Sequence, residues 1–245
     1  MPDRPHDPME VVYEDAELLA VNKPAGLLVH RSRLAADETD FLLDRLQAHT
    51  GSPLHLAHRL DRATSGLVLL AKSREIAAEL GRQFMDRTIA KHYLAIVRGW
   101  PQAEGEVDYP LSDVRDHAPR KPAVTRWRVL ATTTVPIALG RYPEQRYALV
   151  EAMPLTGRYR QIRKHFHHLS HPIVGDTSHG RGDHNRLWRV HFGMHRMLLH
   201  AWRLDLAHPR TGARLALEAP LDDAWRGVRD RFGWQGAIGG ASADC

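Results

Sequence analysis

Apolar residues recur along this chain with two different periods, and the two alternate irregularly. Between Arg74 and Arg87, the residues Ile76, Leu80 and Phe84 return every four positions, which predicts an amphipathic helix. Gly157 to Ser170 predicts a second one. Ile162, Phe166 and Leu169 share one face there, while Arg160, Arg163, Lys164 and His167 fall on the other. Shorter helical patterns cover Phe41 to Leu46 and Leu221 to Phe232. The remaining apolar runs are brief and bounded by turn residues, as strands are: Val11–Tyr13, Leu18–Val21, Leu27–His30, Leu67–Ala71, Lys91–Val97, Val124–Leu130, Tyr147–Met153 and Leu198–Leu206. Lys23-Pro24-Ala25-Gly26 is read as a turn between two of them, and His179 to Asp183 as a flexible loop. Strands outnumber helices without regular alternation, so the expected class is α+β rather than doubly wound. Neither a repeat nor a long linker is evident. The expectation is one domain over residues 10–235, between disordered tails at 1–9 and 236–245 that are rich in Pro, Gly, Ala and Ser.

Charge narrows the choice of partner. The 245 residues carry 34 Lys and Arg against 29 Asp and Glu, a net charge of +5. Between Thr156 and Arg214 stand eleven Lys and Arg against Asp176, Asp183 and Asp205, so the local excess is larger than that of the whole chain. A concentrated basic stretch is the footprint of a phosphate-tracking face, although a solvated basic face without a ligand has the same composition. The single cysteine, Cys245, leaves no possibility of an intrachain disulfide or a thiolate metal cluster. No run approaches the roughly 18 apolar residues of a membrane span, and the start carries Pro and acid where a signal peptide is apolar. A cytoplasmic protein is expected, with no membrane partner.

The chemistry concentrates in His58 to Ser73, HRLDRATSGLVLLAKS. Asp61 stands there behind a basic residue and ahead of the turn formers Thr64, Ser65 and Gly66, and the apolar run Leu67–Ala71 follows. A carboxylate in a loop held by a buried strand is well placed for catalysis. Taken alone, the triplet also reads as a surface turn in which Arg59 pairs with Asp61. The whole segment resembles the signature of the RluA-type pseudouridine synthases, HRLDxxTSG followed by an apolar strand and a Lys. Four further segments resemble the same family: Asn22 to His30, Lys91 to Gly99, Thr156 to Arg163, and Leu199-His200-Ala201.

The resemblance implies a single catalytic domain with a mixed, largely antiparallel bent sheet, flanking helices and a central cleft. It makes Asp61 the catalytic nucleophile, Tyr93 the active-site tyrosine and Arg163 the cationic partner of the aspartate. Arg59 would fill the gap left by a flipped base, and Leu199 would pack against that base. Residues 22–26 would form a packing turn near the active loop. One position departs from the pattern. Most relatives have His where this chain has Arg160, so no role of that His carries over.

Turning uridine into pseudouridine breaks the N1–C1′ bond and rejoins the uracil through C5. A carboxylate can attack the sugar or take part in an elimination path, and both remain open. A cation nearby keeps such a carboxylate ionised. Extruding a base from folded RNA costs a few kcal/mol, and an aromatic face can receive it. No cofactor is expected. The many histidines raise the alternative of a metal site, but no H-E-x-x-H occurs, and His165 and His167 point to different helix faces, so no metal is expected.

With the catalytic body starting near Glu10, no preceding RNA-binding domain is expected. Lys121–Thr125, Gly140–Pro143, Arg146–Glu151, His191–Met194 and Phe232–Trp234 resemble a branch of the family that modifies uridine 65 in the T-stem of tRNA. The expectation is a monomeric, cofactor-free enzyme acting on tRNA. A ribosomal RNA synthase of the same family, and a basic RNA-binding or chaperone module without catalysis, are the alternatives.

Overall fold

A computed structural model describes residues 9–31, 37–112 and 119–238. The expected tails lie mostly outside that range. At the start of the second one, Gly236 and Ala237 belong to a 3-10 turn, Gln235–Ala237, and Ile238 after it is buried. The chain divides into two compact units, residues 1–89 with 203–220, and 90–202 with 221–245.

In the first unit, β1 (Glu10–Glu14), β2 (Leu18–Lys23), α1 (Leu42–Thr50), β3 (His55–Leu56), β4 (Ser65–Ala71) and α2 (Arg74–Met85) follow in order. β2 pairs antiparallel with β1 and with β4, where Leu18 faces Ala71 and Lys23 faces Gly66. All seven residues of β4 are buried, which is why its sequence is a continuous apolar run rather than an alternation. α2 starts at Ser73, whose side chain accepts from the Ile76 N–H at 3.2 Å, and it buries Ile76 and Leu80 as their spacing requires. These residues share a core with Leu67, Leu69 and, from the far end of the chain, Leu204, Leu206 and Leu217.

The second unit holds β5 (Ala90–Arg98), β6 (Glu104–Asp108), β7 (Leu111–Ser112), β8 (Arg120–Lys121), β9 (Val124–Val135), β10 (Gln145–Pro154), α3 (Gln161–His168) and α4 (Gly182–Phe192). Its sheet runs β5-β10-β9-β6, antiparallel throughout, and β7 pairs with β8 apart from it. Tyr147, Trp188 and Trp225 fill its core; the rings of Tyr147 and Trp188 meet edge to face at 5.1 Å. β11 (Leu199–Ala207) starts in this unit and ends in the first, where its second half pairs antiparallel with β12 (Arg214–Glu218). α5 (Asp223–Arg231) closes the second unit, with Asp222 accepting from the Trp225 N–H at 3.0 Å. The pairings given above are antiparallel, an isolated parallel bridge joins Leu28 to Phe41, and the α+β class holds. Among the described residues no helix is long and apolar enough to cross a membrane.

Several local expectations are corrected. Leu27–His30 is not a strand. Its carbonyls instead serve the open N-terminus of α1, Leu28 O accepting from Leu42 N at 2.8 Å and Val29 O from Leu43 N at 3.0 Å. Ser65 and Gly66 belong to β4, not to the turn before it. The helix expected over Gly157–Ser170 spans only Gln161–His168, because Arg160 takes a left-handed backbone at φ 54° that a helix cannot include. The loop read over His179–Asp183 ends in α4, which the sequence reading omitted, along with β6, β7, β8 and β12.

Candidate active site

Asp61 is half-buried in a short turn closed by Thr64 N–H donating to the Asp61 carbonyl at 3.1 Å. Three anchors hold this turn. The backbone N–H of Leu69, in the middle of β4, donates to His58 Nε2 at 3.0 Å. A backbone N–H can only donate, so His58 is neutral on that nitrogen and acts as a tether. Lys23, at the end of β2, is fully buried, and its ammonium donates to the carbonyls of Pro24 (2.8 Å), Leu27 (2.9 Å) and Arg62 (3.3 Å). Gly26 N–H donates to Arg62 O at 2.7 Å, and Arg62 Nε returns a bond to Gly26 O at 2.8 Å. Gly26 sits at φ 92°, a conformation that glycine adopts without strain. The Lys23–Gly26 turn is thus bonded to the Asp61 loop, and β4 follows it as the rigid support. Arg59, in the same loop, is exposed.

Tyr93, Arg163 and Leu199 belong to the second unit. Tyr93 lies half-buried on β5, opposite Ala152 of β10. Leu199 opens β11 at 4% exposure. It follows Leu198, whose N–H donates to Val174 O at 2.9 Å and whose carbonyl accepts from Ile96 N at 3.1 Å.

Arg163 is buried on α3 and grips Asp176 in a two-pronged pair, Nε to Oδ2 and Nη2 to Oδ1, each at 2.7 Å. The N–H groups of Ser178 (2.9 Å) and His179 (3.0 Å) also donate to Asp176 Oδ1. Burial by itself would raise the Asp176 carboxyl; the bonds and charge of Arg163 outweigh it and hold the group below its ordinary range. Sequence reading assigned Arg163 a carboxylate at position 61 and did not find the one at 176. The available signal was Gly175-Asp176, a turn pair in the middle of the basic stretch.

The turn carrying Asp176 is rigidly built. Asn185 of α4 accepts from Gly175 N–H and donates to Asp176 O, at 2.8 and 2.9 Å. Gly175 has φ 80°, and a Cβ there would stand 2.0 Å from the Arg196 carbonyl.

Histidines near this turn are engaged individually. His165 is fully buried between Thr125 Oγ1 (2.9 Å) and Tyr109 O (3.0 Å), and burial lowers its pKa. His167 Nδ1 bonds the carbonyl of His179 at 2.7 Å. The basic stretch is also partly neutralised by acids from outside it: Arg196 pairs with Asp222, and Arg210 with Glu17 at 2.8 Å. A count along the sequence therefore overstates its field.

Residues 17–168 match the family described as "RNA pseudouridylate synthase". Among curated proteins, the chain is 46% identical to "tRNA pseudouridine synthase C" of Vibrio cholerae over 239 residues, covering 94% of this chain and 98% of that one. The Salmonella typhi protein of the same name is also 46% identical, with 94% and 92% covered. Among solved structures, "Human RNA Pseudouridylate Synthase Domain Containing 4" superposes with a TM-score of 0.70 at 27% identity, covering 91% of this chain and 93% of that one.

Proposed function

Because the chain belongs to the RNA pseudouridylate synthase family, we propose that it isomerises one uridine of tRNA to pseudouridine, with Asp61 as the nucleophile. The carrying observation is identity of 46% across nearly the full length of both chains to a protein named for tRNA pseudouridine synthesis. The Asp61 loop supports it, since three separate anchors hold a half-buried carboxylate at the head of a fully buried strand. The target read from the sequence is uridine 65 in the T-stem.

In this reading the target uridine leaves the stack and Arg59, exposed in the Asp61 loop, takes its place. Tyr93 presents its ring to the extruded uracil, and Leu199 packs against the base. Asp61, ionised, acts on the ribose either by attack at C1′ or by an elimination path; the N1–C1′ bond breaks, the uracil turns, and C5 bonds to C1′. The C5 proton leaves and N1 gains one, so substrate and product have the same atoms and the balance requires no cosubstrate. Arg163 supplies the positive charge for Asp61. Asp176 takes the Nε and Nη2 side of that guanidinium.

Pseudouridine mapping of total RNA by carbodiimide-dependent reverse-transcription stops, with and without the gene, is the test. Loss of a T-stem stop, restored by wild type and not by Asp61→Asn, is the expected result. Loss confined to ribosomal RNA would overturn the substrate, and restoration by Asp61→Asn would overturn the nucleophile.

A further inference from the structure

Beside the basic face of α3 lie two buried nitrogen atoms that the proposed chemistry does not use. Residues 163, 164 and 167 share the basic face of α3, and Arg160 stands at its N-cap. The segment after Asp176 is bonded to it at two levels, through Arg163 to the Asp176 carboxylate and through His167 to the His179 carbonyl at 2.7 Å. This brings His179 beside the helix. Arg160 Nε and His179 Nε2 are both buried from water and have no hydrogen-bond partner among the described residues. Orphaned donors are rare in folded proteins, and each calls for an explanation such as a bound ion.

The remaining features around them favour an anion. The Arg160 guanidinium lies over the Tyr159 ring at 4.8 Å, and Lys164 Nζ over the same ring at 5.5 Å, so two cations flank one aromatic. Asp176, whose oxygens take four donors from Arg163, Ser178 and His179, offsets one of the charges of Arg160, Arg163 and Lys164 and leaves a cationic excess. Burial lowers the pKa of His179, and the charges of Arg163, Arg160 and Lys164 add to that effect against Asp176, which places these cations in its surroundings. Arg160 also holds a left-handed backbone at φ 54°, ψ 33°, a strained conformation of the kind that collects at ligand sites.

We propose that Arg160 and His179 form an anion subsite that takes a backbone phosphate of the substrate RNA. Arg160 donates from its guanidinium, His179 from Nε2 in the tautomer with the proton there, and Lys164 adds charge. This gives a role to the one position where the chain departs from the family's pattern. The inference rests on the RNA substrate proposed above.

The experiment measures binding of an unmodified tRNA transcript to the full-length protein at a series of KCl concentrations. Each phosphate contact contributes about 0.7 to 0.9 to the slope of log K against log salt. Arg160→Gln is expected to lower the slope by about that amount and to weaken binding roughly tenfold at the lowest salt. Arg160→Lys, which keeps the charge, is expected to restore most of the slope. An unaltered slope in Arg160→Gln would overturn the subsite. Failure of Arg160→Lys to restore it would do so too, by showing that the side chain acts through folding. Pseudouridine formation by the wild-type protein in the same transcript keeps the two readings apart. Its absence would count against the proposed function; its presence with an unaltered slope would sink the subsite alone.

Discussion

His184 shows how much of a residue's behaviour comes from where the chain puts it. It is buried in the second unit, bonded to Tyr147 Oη at 2.8 Å through Nδ1 and accepting from Arg98 Nε at 3.0 Å through Nε2. Burial and the adjacent Arg98 hold its pKa down at about 4. Between about pH 4 and 6.5 the unfolded chain therefore takes a proton that the folded chain refuses. Stability rises with pH across this window and is lost on acidification, by an amount of about 2–3 kcal/mol. Chemical denaturation at pH 7.5 and pH 4.5 should show this loss, and His184→Asn should reduce it. At the same scale, the sequence singled out Asp61, Tyr93 and Arg163 as candidates through motif resemblance. It did not disclose Asp176, His58 or Lys23 as structural partners, because each acts through a contact that forms only on folding. Asp176 meets Arg163 thirteen residues away, and Lys23 meets Arg62 thirty-nine away.

Elements with a strong period were legible; those defined by their neighbours were not. α2 and β4 follow directly from a four-residue repeat and an apolar run. α4 was missed because its N-cap, Arg181, makes no side-chain capping bond and stands inside a Gly-Arg-Gly sequence that reads as loop. Its His184, Leu187 and Trp188 were the signal, a three-and-four spacing of buried residues. Leu27–His30 was apolar for packing but gave its carbonyls to a helix end. Glycines separate these cases by experiment. Gly175→Ala pushes a Cβ against a backbone carbonyl at φ 80° and should cost at least about 2 kcal/mol. Gly81→Ala, inside α2 with open space around the new methyl, should stabilise by about 0.5–1 kcal/mol. Thermal melts of the two variants in parallel would check both, and equal effects would contradict the geometry.

At the scale of the molecule, the first unit is discontinuous in sequence. Its core takes Leu18, Leu67, Leu69 and Ile76 from one end of the chain and Leu204, Leu206, Leu217 and Ala219 from residues 203–220. β11 carries the chain into it in mid-strand, and β12 pairs only with that second half. A fragment ending at Ile89 lacks a third of this core. It should show little cooperative unfolding by circular dichroism, and a sharp transition would show that the late segment is dispensable. No local pattern in the sequence could disclose this arrangement, since periodicity reports elements and not which distant segments share an interior. The α+β class was legible because it depends only on the order and kind of elements.

Lys23 carries a further consequence. It is one of five lysines, fully buried, with its ammonium held by three backbone carbonyls, one of them from the loop of Asp61. An amine-acylating reagent added to the native protein should modify exposed Lys121 at once and reach Lys23 only when that turn opens. Read peptide by peptide in a mass spectrometer, the lag of Lys23 behind Lys121 becomes a clock for breathing of the Asp61 loop. A saturating RNA that closes over the loop should slow it.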